Sequence, residues 1–173
     1  MIPVDCTYER HAGAILAIFN HAILTSTALY DYQARNDATM QAWFEAKRKG
    51  NYPVVGFEDE NGVLMGFASY GPFRPFPAFK YSVEHSVYVD QRFRGRGLGE
   101  ALLRAIVERA RQQEYHVVVG AIDSTNAVSC ALHEKLGFTR AGEIKQAGFK
   151  FGRWLDLLFY QLQLETPAQP VDG

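Results

Sequence analysis

Residues 92–99 read Arg92-Phe93-Arg94-Gly95-Arg96-Gly97-Leu98-Gly99, and no other stretch restricts the fold of this chain as strongly. Glycine enters left-handed and crowded backbone conformations at little steric cost. A segment of β-branched and small residues precedes the run, and a segment of helical period follows it. A loop so placed can turn several backbone N–H groups toward one anion, and the dipole of the following helix adds to the field. The ligand expected from the residues alone is a diphosphate.

The better-known phosphate loops do not fit. The P-loop pattern needs Lys followed by Ser or Thr after its last glycine, and Gly99 is followed by Glu100 and Ala101. The dinucleotide fingerprint G-x-G-x-x-G fails on the Gly95-x-Gly97-x-Gly99 spacing, which also sits mid-chain behind a hairpin signal. A turn alone needs one glycine, so three point to more than a change of direction. With a net charge of −1, the chain lacks the basic face of a general nucleic-acid binder. The arginines therefore mark a local site on a near-neutral protein.

The pattern along the 173 residues predicts one domain over 1–164 and a flexible, proline-bearing tail over 165–173. A short strand over 4–8 leads to a helix from about Arg10, and Asp37 is placed to cap a second helix that Gly50 stops. Strands over 53–58 and 63–70 flank the turn Asp59-Glu60-Asn61-Gly62. The segment Gly71-Pro72-Phe73-Arg74-Pro75-Phe76-Pro77 is too rich in proline for a helix or a central strand. A strand over 81–89, the glycine loop, a helix over 98–113, an apolar strand over 116–122 and a short helix over 127–136 follow. Two strands, near 139–146 and 153–164, complete the chain. The fold class expected is α/β, one mixed sheet of about seven strands flanked by about four helices.

At this point the residues resemble a known family. Arg92-x-x-Gly95-x-Gly97, behind Ser86-Val87-Tyr88-Val89 and opening a helix, resembles the acetyl-CoA signature of the GNAT acetyltransferase superfamily. Asn126, Ser129 and Leu132-His133-Glu134-Lys135-Leu136-Gly137-Phe138 resemble its second motif, one strand further on. Tyr81-Ser82-Val83-Glu84-His85-Ser86-Val87-Tyr88-Val89, the Arg74-Pro75-Phe76 loop and Gly148 to Asp156 are similar to the phosphinothricin and methionine sulfoximine N-acetyltransferases. The resemblance implies acetyl-CoA as co-substrate and the α-amino group of a small amino acid as acceptor. It also implies a homodimer and the detoxification of herbicide-like or antibiotic amino acids.

The site expected from this reading has three parts. Val87, Tyr88 and Val89 offer a strand edge to the pantetheine arm, as the resemblance implies. Arg94, Gly95, Arg96, Gly97, Leu98, Gly99 and Glu100 hold the pyrophosphate, and by resemblance Asn126 contacts the cofactor. Arg74 can clamp a substrate carboxylate bidentately, with Pro75, Phe76, Glu84, His85 and Ser86 as further substrate contacts. Glu84 is the expected general base; a free α-amino group is easier to deprotonate than a lysine. Strand alternation turns His85 away from Glu84, which makes packing its competing role. His133 stands where many members of the superfamily carry a tyrosine acid, so a catalytic and a structural role both remain open there.

Cys6 and Cys130 lack metal-ligand spacing, and no metal is expected. No signal peptide and no apolar run of spanning length is evident, so a cytoplasmic protein is expected. Two other readings of the same fold are a protein N-terminal or lysine acetyltransferase and a non-catalytic acyl-CoA sensor. The aromatic, proline-rich loop suits a closed small pocket better than an open peptide groove.

Overall fold

A computed structural model describes residues 1–173. The elements run β1 (Ile2–Asp5), α1 (Tyr8–Thr25), α2 (Asp37–Lys49), β2 (Val54–Glu58), β3 (Leu64–Pro72), β4 (Ser82–Val89), α3 (Leu98–Gln112), β5 (Val117–Asp123), α4 (Ala127–Lys135), β6 (Thr139–Lys150) and β7 (Arg153–Gln163). The seven strands form one mixed sheet in the order β1-β2-β3-β4-β5-β7-β6. The expected α/β class, element order and approximate numbers of strands and helices are all found.

The chain divides into two compact units, residues 1–71 with 86–106, and residues 72–85 with 107–173. Strand β4 and helix α3 each contribute residues to both.

In the first unit, α1 turns Ile15, Ile18, Phe19, Ala22 and Ile23 inward at helical spacing. Phe19 is the hub of that core. Its ring meets Trp43, Phe67 and Tyr88 edge-on, with centroids 5.4, 5.1 and 5.2 Å away. Such aromatic contacts add about 0.5–1.5 kcal/mol beyond the area they bury. Thr7 caps α1 through the Arg10 N–H, and the buried Glu58 carboxylate of β2 takes both Arg10 (2.7 Å) and His11 (3.1 Å). Helix α2 is capped by Asn36, whose side chain accepts from Thr39 N while the Thr39 hydroxyl accepts from Asn36 N. Asp37, the expected cap, is instead the first helical residue, where its charge suits the helix dipole. Lys47 Nζ donates to the Tyr70 carbonyl at 2.8 Å over the rings of Trp43 and Tyr52, and burial there lowers its pKa to about 8.

In the second unit, β5 pairs antiparallel with β7 along its whole length, and β7 pairs with β6. Strand β6 runs to Lys150, beyond the expected end near 146, with irregular register between Ile144 and Gly148. Residues 165–173 form no helix or strand. Thr166 Oγ1 nonetheless donates to Tyr115 O, and Val171 N donates to Tyr81 Oη.

Candidate active site

The glycine loop lies in the first unit. Asp90 N donates to Met65 O at 2.9 Å, and the Asp90 carboxylate accepts from Arg92 N and pairs with the Arg92 guanidinium at 2.7 Å. Those bonds hold the Asp90 carboxyl below the usual range. They also tie Arg92 to the loop's entrance. Gly95 and Gly97 have φ of +75° and +76°, and a Cβ on either would meet nothing within 4 Å. The left-handed backbone, not crowding, is what requires glycine at both positions. The N–H groups from Gly95 to Gly99 make no hydrogen bond within the protein. Arg94 and Arg96 have no acidic partner, and Arg96 stacks on the Phe93 ring at 5.4 Å. Glu100 instead pairs with Arg104 at 2.8 Å, one helical turn on. Unengaged donors on a left-handed loop with two unneutralised guanidiniums fit a diphosphate.

Val87, Tyr88 and Val89 close β4 just before this loop. The strand's end rests on Gly66, where a Cβ would stand 2.8 Å from Tyr88 O and 3.2 Å from Val89 Cα. Only a glycine in β3 admits β4 that closely.

The second unit holds Arg74, Pro75, Phe76, Glu84, His85, Asn126 and His133. Here β4 pairs parallel with β5 at Ser82↔Val117, Val83↔Val118 and Glu84↔Val119, and the ladder ends there. β4 itself continues to Val89. Glu84 is half-buried, its carboxylate has no hydrogen bond or ion pair, and burial raises its pKa above that of an ordinary carboxylate. Neither Arg74 nor Lys80 pairs with it. The exposed Arg74 guanidinium stacks near Phe76 (5.7 Å) and Phe79 (5.9 Å), and Lys80 lies over the Tyr81 ring.

A cavity of about 280 Å³ lies beside these strands, walled by Phe73, Ser82, Val117, Val119, Phe159 and Gln161 among others, none of them charged. Register partners in a parallel ladder share a face, so Glu84 projects to the same side of the sheet as Ser82, Val117 and Val119. The carboxylate and the cavity therefore belong to one face.

His85 and His133 belong to the other. His85 is 9 % exposed and its ring stacks on that of His133, with the two Nε2 atoms 2.9 Å apart. His133 Nδ1 lies 2.7 Å from Ser129 O, an acceptor only, so Nδ1 carries the proton. With both rings neutral, His133 Nε2 accepts from His85 Nε2–H, and His85 Nδ1 is left buried without a partner. Burial and the neighbouring His133 lower the His85 pKa to about 3; burial also lowers that of His133. Gly120 makes room for the pair, since a Cβ there would sit 2.9 Å from His85 Nε2 and 3.1 Å from His133 Nε2. The structure thus brings His85 and His133 together and turns both away from Glu84's face.

Asn126 caps α4 by accepting from Ser129 N at 3.1 Å, which leaves its side-chain amide N–H groups without a partner. Just before it, the buried Asp123 carboxylate accepts from Thr125 N and Oγ1 (both 3.1 Å) and from Arg153 Nη2 (2.8 Å). Sequence reasoning missed Asp123 and Arg153. Asp123 shows only as part of a short polar turn after an apolar strand, and Arg153, 30 residues away, only as one residue of the segment 148–156 that carries the resemblance.

The chain is similar to known proteins along most of its length. The model of the family described as "Acetyltransferase (GNAT) family" matches residues 17–138. The chain is 50 % identical over 151 residues to an L-methionine sulfoximine/L-methionine sulfone acetyltransferase of Pseudomonas paraeruginosa, covering 87 % of this chain and 88 % of that one. It is 36 % identical over 160 residues to a phosphinothricin N-acetyltransferase of Streptomyces viridochromogenes, covering 91 % and 85 %. Among solved structures, a phosphinothricin acetyltransferase from Sinorhizobium meliloti in complex with acetyl-CoA superposes with a TM-score of 0.93 at 34 % identity, covering 99 % of this chain and 93 % of that one.

Proposed function

The chain belongs to the acetyltransferase (GNAT) family, and from that premise we propose that it acetylates the α-amino group of a small amino acid of the methionine sulfoximine, methionine sulfone or phosphinothricin type, using acetyl-CoA. The observation that carries the reading is Glu84, a half-buried, unpartnered carboxylate at the last rung of the β4–β5 ladder, facing the side that holds an uncharged cavity.

Acetyl-CoA supplies an activated carbonyl and a thiolate leaving group. The N–H groups from Gly95 to Gly99, with Arg94 and Arg96, hold its pyrophosphate, and the start of α3 with Glu100 sets the loop's end. The backbone of Val87, Tyr88 and Val89 continues past the last rung and takes the pantetheine as an added strand. The free Asn126 amide donates to the same cofactor. Arg74, which has no anionic partner of its own, receives the acceptor's carboxylate, and Pro75, Phe76 and Ser86 border the acceptor. Glu84 takes the ammonium proton, directly or through water, in a ternary complex, and the free amine attacks the carbonyl. A raised carboxyl pKa brings Glu84 closer to the pKa of the amine it must deprotonate. His133 has both ring nitrogens occupied, so no protein acid is assigned. The C–S bond breaks to release the thiolate, which takes up the proton that the newly acylated nitrogen sheds; a thiol pKa of about 8.5 makes it an adequate leaving group. His85 and His133 serve as the wedge that holds α4 against β4 and β5.

The same reading takes the protein to be a cytoplasmic homodimer that detoxifies such amino acids, and the exposed Phe149, Phe151 and Trp154 of the β6–β7 hairpin suit a subunit contact. No helix is long and apolar enough to cross a membrane. The test is thiol release from acetyl-CoA with amino acids and their sulfone, sulfoximine and phosphinic analogues. Release with the analogues is expected; its absence with all of them would favour a sensor or a protein-directed enzyme.

A further inference from the structure

Arg153 opens β7, directly after the hairpin turn, and reaches back to the turn that joins β5 to α4. Its Nη2 lies 2.8 Å from Asp123 Oδ2 and 3.3 Å from Thr125 Oγ1. Asp123 is almost completely buried and acceptor-only, so it needs donors on every lone pair that water cannot reach. Thr125 N and Oγ1 supply two, Arg153 the third, and Asn126 N bonds to the Asp123 carbonyl at 2.9 Å. Ser124 N donates to Asp156 O on the same strand as Arg153. Every residue of the 123–126 turn is therefore bonded either to Asp123 or to the first residues of β7.

The turn ends in a side chain whose orientation is fixed without using its donors. Asn126 Oδ1 faces Ser129 N, an unambiguous donor, so the amide NH₂ must face outward. One end of this small network is a charge-assisted ion pair; the other is a free amide.

We propose that Arg153 is a positioning residue for acetyl-CoA: by pairing with buried Asp123 it sets the Thr125–Asn126 turn, and so the aim of the Asn126 amide at the cofactor. The inference rests on the assignment of Asn126 to the cofactor. Arg153 acts through Asn126 and needs no contact with the ligand. Loss of its guanidinium frees the turn and makes the Asn126 contact intermittent, while the chemistry at Glu84 is untouched.

A double-mutant cycle on the whole enzyme tests this, with Asn126→Ala, Arg153→Gln and the pair together. Arg153→Gln should raise the KM for acetyl-CoA about tenfold, the scale of one charge-assisted hydrogen bond, with kcat within about twofold. The double variant should be no worse than Asn126→Ala by more than about twofold, because both remove the same contact. Multiplying penalties would overturn the proposal, as would a KM unchanged by Arg153→Gln when Asn126→Ala raises it. An unchanged KM in Asn126→Ala would instead remove the cofactor assignment of Asn126, and the proposal with it. Arg153→Lys keeps a cation beside Asp123 and should retain the wild-type KM within about threefold, the scale of a weakened hydrogen bond. If Arg153→Gln does not fold, Arg153→Lys takes its place in the cycle: its smaller KM penalty should disappear in the Asn126→Ala background, and a penalty that persists there would overturn the proposal.

Discussion

His85 and His133 meet Nε2 to Nε2 at 2.9 Å, two imidazoles from β4 and α4 that share a single proton between facing nitrogens. The contact is sound only while at least one ring is neutral, and no carboxylate is within bonding reach of either.

That relationship predicts acid sensitivity of a definite sign. A histidine whose folded pKa is lowered binds its proton more readily when unfolded, so stability is full above the unfolded value of about 6.5 and falls as the pH drops toward the folded value. For His85, at about 3 in the fold, roughly 2 kcal/mol should be lost between pH 7.5 and pH 5. Urea unfolding at the two pH values should show this loss in the wild type and a smaller one in His85→Gln. Equal losses in both would dissociate the pair from acid sensitivity.

Glu84→Gln should lower kcat by about 10²- to 10⁴-fold, the usual contribution of a general base. Its affinity for coenzyme A, measured by calorimetry, should stay the same. Because burial raises the Glu84 pKa, the wild-type rate should fall with acid at a pH above that of an ordinary carboxylate. A glutamine variant with normal turnover would transfer the role elsewhere.

Arg74 faces solvent with only aromatic neighbours. Replacing it by alanine should raise the KM for the amino acid about 10- to 100-fold, the loss of a hydrogen-bonded charge pair. The acetyl-CoA KM should move little. Equal changes in the two constants would refute the carboxylate clamp.

Gly66→Ala sets a methyl 2.8 Å from Tyr88 O, a backbone atom that can yield only if the end of β4 shifts. A cost of about 1–3 kcal/mol is expected from such overpacking. Thermal denaturation should register the cost, and the acetyl-CoA KM should rise because the displaced residues are those assigned to pantetheine.

Much of the fold was legible because it is written in local pattern. The Phe19 face of α1, the glycine stop at Gly50 and the turn at Asn61-Gly62 all follow from spacing and residue type. Adjacent capping candidates were not separable: Asn36 and Asp37 are both good caps, and the reciprocal Thr39 bond that decides for Asn36 shows only in three dimensions. Strand alternation foretold that Glu84 and His85 face apart. It gave no hint that His85 would meet His133, 48 residues on, or that Gly120 would be kept small to admit both rings. The Asp123–Arg153 pair was hidden for the same reason, since its meaning depends on how β7 is registered against β5.

The β4–β5 ladder stops after three rungs while β4 goes on to Val89. A strand edge left open in this way is a debt in hydrogen bonds that water settles in the free protein and a ligand settles better. Folding and cofactor supply are then coupled by mass action: at a hundred times its dissociation constant, acetyl-CoA would add about 2.7 kcal/mol to the folded state. The acetyl donor would in this sense also stabilise the enzyme that uses it.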